Sequence, residues 1–78
     1  MDHFKTLDSR GKHFGSICNL ALVELKTIKK NGILEIILDN KMNILDALKV
    51  WSKFHGHKFS DSVSESNLIR VFIKKGIN

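Results

Sequence analysis

Cys18 is the single cysteine among 78 residues and the strongest nucleophile the chain could offer. A thiol attacks as its thiolate, so the surroundings of the sulfur decide what it can do. Ser16 is expected to cap a helix, which puts Cys18 in the first turn. Free backbone amides and the helix dipole would lower the thiol pKa there. Lys12 and His13 precede it closely and could stabilise the thiolate. The competing reading is structural. Cys18 shares an apolar stripe with Ala21 and Leu25, and free cysteine is among the most buried residue types.

Other chemistry finds less support. His13, Cys18, His55 and His57 offer nitrogen and sulfur ligands, but their spacing matches no compact zinc motif. No metal and no other cofactor is expected. His55 suits a helix end, His57 a turn or strand start, and His3 a frayed terminus. Asp8, Asp39 and Asp46 suit solvation and capping better than acid–base work. Gly11 and Gly15 lack the spacing of a phosphate loop, and no Gly-Lys-Ser/Thr occurs. Lys29, Lys30, Lys53, Lys58, Lys74 and Lys75 would form a diffuse basic surface. No aromatic stacking pattern or reading-helix motif accompanies them. The same charges would steer an acidic protein partner.

Size limits the frame that positions these residues. A chain of 8.9 kDa makes one domain and, as a monomer, exposes roughly 4,800 Å². A doubly wound nucleotide domain, a barrel or a large enclosed substrate pocket does not fit. Hydrophobic residues make up 42% and charged residues 27%, the balance of a globular chain. The net charge of +5 favours anionic partners weakly. Proline is absent, which excludes proline-rich recognition segments. No apolar run approaches the roughly 20 residues that span a bilayer. Residues Met1 to Arg10 carry no apolar signal core, so a soluble, cytoplasmic protein without membrane partners is expected.

Phe4 to Asp8 reads as a short strand, and Ser9 to Gly15 as a loop. The helix capped by Ser16 is expected to run to about Lys30 and end at Asn31-Gly32. Its core stripe would be Ile17, Cys18, Ala21, Leu25 and Ile28. Leu20 and Val23 fall outside it, as scattered surface residues or part of a partner surface. Ile33 to Asp39 is a β-branched run with the look of a flanked strand. Asn43 and Asp46 make a capping pair for a second helix, Ile44 to about Phe54. Ile44, Ala47, Leu48, Trp51 and Phe54 would share its buried stripe, and His55-Gly56-His57 would close it. Phe59 and Val63 mark a third strand. Leu68 to Lys75 marks a fourth, joined to it through Ser64 to Asn67. The order is βαβαββ: a two-layer α/β sandwich, with two helices on one face of a four-stranded mixed sheet, all within a single domain over residues 1–78.

These residues resemble the TusA/SirA-like sulfur-carrier family. Leu7-Asp8-Ser9-Arg10-Gly11 looks like its Leu-Asp-x-x-Gly opening. Gly32-x-Leu34-Glu35-Ile36 is similar to its glycine and Leu-Glu-Val strand. Asp39 and Asp46 sit like the acidic residues around the start of its second helix. Gly56-His57 matches the Gly-His at that helix's end, and Phe72-Ile73-Lys74-Lys75 resembles its last strand. The likeness spans about Leu7 to Lys75. It implies the same fold. Carrier members hold a persulfide on the cysteine of a Cys-Pro-x-Pro motif. Counted forward from Gly11 that cysteine falls at Phe14, and counted back from Gly32 at Gly15. Neither is cysteine and both prolines are missing. The resemblance therefore implies a carrier-like protein acting through protein contacts, its persulfide transfer lost. A surviving sulfurtransferase activity would place the persulfide on Cys18, with Arg10, Lys12 and His13 as electrostatic support and a sulfur donor or acceptor as partner. A regulatory or nucleic-acid-binding domain without thiol chemistry is the other alternative.

Overall fold

The computed structural model describes residues 2–40 and 43–77 and places the run Ile33 to Asp39 in the interior of a sheet. The elements in chain order are β1 (Asp2–Asp8), α1 (Phe14–Leu25), β2 (Ile28–Asp39), α2 (Leu45–Phe54), β3 (Lys58–Ser64) and β4 (Leu68–Lys74). The strand order is β1-β2-β4-β3. β1 runs parallel to β2, and β4 is antiparallel to both β2 and β3. Both helices cover one face, giving the expected two-layer βαβαββ sandwich.

Side chains alternate across a strand, so β2 divides its residues between two faces. Leu34, Ile36 and Leu38 point toward the helices and are fully buried. Ile17, Ala21 and Leu25 of α1, Leu48 of α2, and Ile69, Val71 and Ile73 of β4 complete the core. Trp51 packs against this cluster, as expected. The exposed surface of 4716 Å² agrees with the size scaling for a monomer. The radius of gyration, 11.4 Å, matches the value of about 11.5 Å for a compact chain of this length.

Several local expectations are corrected. α1 begins at Phe14, not after Ser16. His13 is its N-cap, with Nδ1 accepting the Ser16 amide at 3.3 Å. α1 ends at Leu25, well short of Lys30. Thr27 closes the turn, with its hydroxyl and its amide both donating to the Glu24 carbonyl. Ile28 is buried, but on β2, where it pairs with Asp2. His3 lies within β1 instead of in a frayed end.

Asn31-Gly32 therefore does not terminate a helix. It builds a bulge inside β2. Between the pairs Asp2↔Ile28 and Phe4↔Ile33, β2 takes five steps where β1 takes two. Asn31 adopts φ 70°, the left-handed conformation that asparagine tolerates. Gly32 is packed so closely that a Cβ would lie 2.5 Å from Ile28 Cγ2 and 2.8 Å from the His3 carbonyl oxygen. The bulge is tied to the chain after β4. The Asn31 amide donates to the Lys75 carbonyl at 2.8 Å, and the Lys75 amide donates to Gly32 at 2.9 Å. Strand pairing on both sides thus outcompetes one more helical turn.

α2 also departs from expectation. Ile44 is its N-cap and makes no side-chain capping bond, so the Asn43–Asp46 pair does not form. Asp46 remains in the first turn, where its charge suits the helix dipole. The buried stripe is set by Leu48 and Ser52. At about 100° per residue, Ala47 and Phe54 fall roughly 100° or more from both. Ala47 is accordingly exposed, and Phe54 is 83% exposed.

Gly32→Ala should destabilise the protein by about 1–3 kcal/mol through steric overpacking. In urea unfolding this appears as a lower midpoint with an unchanged slope.

Candidate functional site

Cys18 lies one helical turn beyond the start of α1, past the free amides of its first turn. This corrects the expected placement. The residue is 8% exposed and sits on the helix side that carries Ile17 and Ala21. Burial pushes its thiol pKa up, opposite to the shift a nucleophile needs.

The groups expected to support it are engaged elsewhere. Arg10 forms a two-pronged pair with Asp8, Nε to Oδ1 at 3.0 Å and Nη2 to Oδ2 at 2.7 Å. The Arg10 side chain, then its backbone amide, hold the Asp8 carboxyl at a pKa of about 2. His13 uses Nδ1 on the Ser16 amide, and its Nε2 lies 3.2 Å from the Ser16 hydroxyl. Asp39 accepts the Gly11 amide at 2.8 Å and so fixes the same loop. Lys12 and His13 border a wide, shallow cleft of about 490 Å³ with Gly11, Ser16, Asn19 and Leu20. Cys18 does not line it.

A second cleft, of about 250 Å³, opens at the other end of α1. Leu22 and Leu25 of α1 form one apolar wall, and Ile77 adds to it. The remaining lining is cationic or basic: Lys26, His55, His57 and Lys75. The local reasons for this arrangement are legible. Gly56, at φ +79°, ends α2 in a Schellman motif: its amide donates to Lys53 at 3.1 Å and the His57 amide donates to Ser52 at 2.8 Å. The turn aims His57 at the chain after β4, where its Nδ1 accepts the Gly76 amide at 3.2 Å. That bond sets the neutral tautomer with the proton on Nε2. Burial, then the Lys75 and His55 charges, push the His57 pKa down.

Lys75 is only 4% exposed, and its Nζ donates to the Ile28 carbonyl at 2.8 Å. That carbonyl lies at the start of the bulge. Composition placed Lys75 on a diffuse basic surface; the structure buries it. A signal was present in the sequence, since Val71, Ile73 and Lys75 share the inward parity of β4. His55 and His57 occupy the helix end and turn expected of them, and their convergence with Lys75 has no local signal in the sequence. The other lysines lie apart: Lys29 and Lys30 on the β2 bulge, Lys53 on α2, and Lys58 opposite Lys74. His13 and Cys18 are not brought to His55 and His57. Among the described residues no group of three or more His, Cys, Asp or Glu is arranged to hold a metal ion. Among them, too, no helix is long and apolar enough to cross a membrane.

Compared with protein-family models and with curated proteins, the chain matches none. Fold and site together define a small two-layer α/β domain with a buried thiol and a cationic, apolar-walled cleft.

Two titrations check this electrostatic picture. Asp8 should titrate near 2 by carboxyl NMR, and Arg10→Ala should return it toward 3.8. The depressed His57 pKa means the unfolded chain takes up a proton before the folded one does. Its stabilising contribution is therefore complete above about 6.5 and is lost as the pH falls through the folded-state pKa. Comparing unfolding at neutral and acidic pH should show a smaller loss in His57→Asn, whose amide oxygen can replace Nδ1 as acceptor.

Proposed function

We propose that this chain is a binding domain on the frame of the TusA/SirA-like sulfur carriers, acting through protein contacts without persulfide transfer. The burial of Cys18 carries this reading. Persulfide transfer needs a thiolate that can attack a donor sulfur and then present the bound sulfur to an acceptor. A sulfur that is nearly enclosed, with its pKa raised, serves neither step. The positions where the family carries its cysteine hold Phe14, packed against the core, and Gly15.

Contact through charge remains well supplied. Lys12 and His13 are exposed at the start of α1, and Leu20 and Val23 are exposed along it. With a net charge of +5, an acidic protein surface is the favoured partner. The scattered lysines favour this over nucleic acid, which would be held best by a continuous basic stripe.

The test is to incubate the reduced, folded protein with a persulfide donor and weigh it. The expected result is no gain of sulfur in wild type or in Cys18→Ser. A gain of one sulfur atom in wild type that is absent from Cys18→Ser overturns the reading in favour of an active carrier. Salt-sensitive RNA or DNA binding at moderate protein concentration overturns it in favour of the nucleic-acid alternative.

A further inference from the structure

We infer that the cleft between the C-terminal ends of α1 and α2 binds a small carboxylate with an apolar body, the carboxylate meeting Lys75 and the body packing on Leu22, Leu25 and Ile77. This site is independent of any contact made through the start of α1.

The buried ammonium is the first reason. An ammonium carries three donors, and Ile28 takes one from Lys75. A buried charge without a counter-ion is costly. Among the described residues no acidic side chain lines the cleft. A bound anion would supply a counter-charge that no described side chain at the cleft provides, and further acceptors. The neighbours reinforce the same preference. Lys26 and His55 add positive charge or proton donors, and His57 keeps Nε2–H as a donor because Nδ1 is occupied.

The walls and the charge count choose the class of anion. Leu22, Leu25 and Ile77 give the ligand an apolar surface that inorganic phosphate cannot use. α1 and α2 both end at this cleft, and the negative ends of their dipoles oppose any anion and a dianion most, so the lysine charge has to outweigh them and a single negative charge is favoured. One buried ammonium suits one carboxylate. The volume, about 250 Å³, exceeds the ~150 Å³ apolar cavity that admits benzene. A ring or a chain of about eight carbons fits that space.

The probes are octanoate, octanol and inorganic phosphate, titrated into the folded wild-type protein and followed by NMR. Octanoate should shift the methyl signals of Leu22, Leu25 and Ile77 saturably, with Kd on the order of 1 mM or tighter. It should also raise the His57 pKa, because a nearby anion favours the imidazolium. Octanol should bind at least about tenfold more weakly, and phosphate should not compete. Lys75→Met, which keeps the stem length and removes the charge, should weaken octanoate about tenfold or more. Ile77→Glu, at an exposed position, should abolish binding while leaving the core untouched. The inference is overturned by the absence of saturable shifts up to roughly 10 mM. Equal affinity for octanol, tighter binding of phosphate, or unchanged affinity in Lys75→Met with intact fold would each overturn it as well.

Discussion

Leu34, Ile36 and Leu38 lie fully buried on one face of β2, and each other element is placed by what it lays against them. α1 brings Ile17, Ala21 and Leu25, α2 brings Leu48, and β4 brings Ile69, Val71 and Ile73. Burying an aliphatic side chain of this kind contributes roughly 1.5–3 kcal/mol. Three of them contribute roughly 4.5–9 kcal/mol before the conformational entropy of ordering the chain is set against them. The rest of the structure can afford polar surfaces and an enclosed charge because this strand is secure.

The opposite face of the sheet shows how register is held. Glu35 is nearly buried between its neighbours. Thr6 of β1 donates to one carboxylate oxygen at 2.8 Å, and Arg70 of β4 donates to the other at 3.0 Å. Arg70 also reaches Glu65 at 3.1 Å. These bonds, Glu35 first, hold Arg70 more firmly protonated than usual. The network joins β1, β2 and β4. A slip of one residue in β2 would turn Glu35 into the apolar core and Ile36 to the outside. Apolar burial and polar satisfaction therefore specify the same pairing.

The bulge in β2 links the fold to the cleft. Asn31 and Gly32 form the bulge that shifts the register of β2 against β1, and they tie it to the backbone of Lys75, whose ammonium donates to the Ile28 carbonyl at the start of the bulge. The Schellman turn after α2 delivers His57 to the same place. Residues far apart in the chain converge there because a bulge and a helix-ending turn, each built on a left-handed residue, both hydrogen-bond to the segment after the last strand. The thiol at the other end of α1 has the opposite fate. The face of α1 that builds the core also encloses Cys18.

By itself the sequence determined the element order, the apolar runs that become β2 and β4, and the end of α2 at Gly56. These follow from local rules: alternation in strands, periodicity in helices, and the conformational freedom of glycine. Tertiary structure decided the rest. The extent of α1 was not legible because Lys26 to Lys30 suits a helix locally, while pairing of Ile28 with Asp2 rewards a strand. Periodicity alone puts Phe54 in the core, but the sheet selects the side of α2 centred on Leu48 and Ser52. Whether Cys18 faced solvent or core depended on where the helix began and what it packed against. Whether Lys75 joined the surface or a cleft depended on a bulge more than forty residues earlier in the chain. Such choices rest on contacts between distant segments, and their energies exist only once the chain has folded.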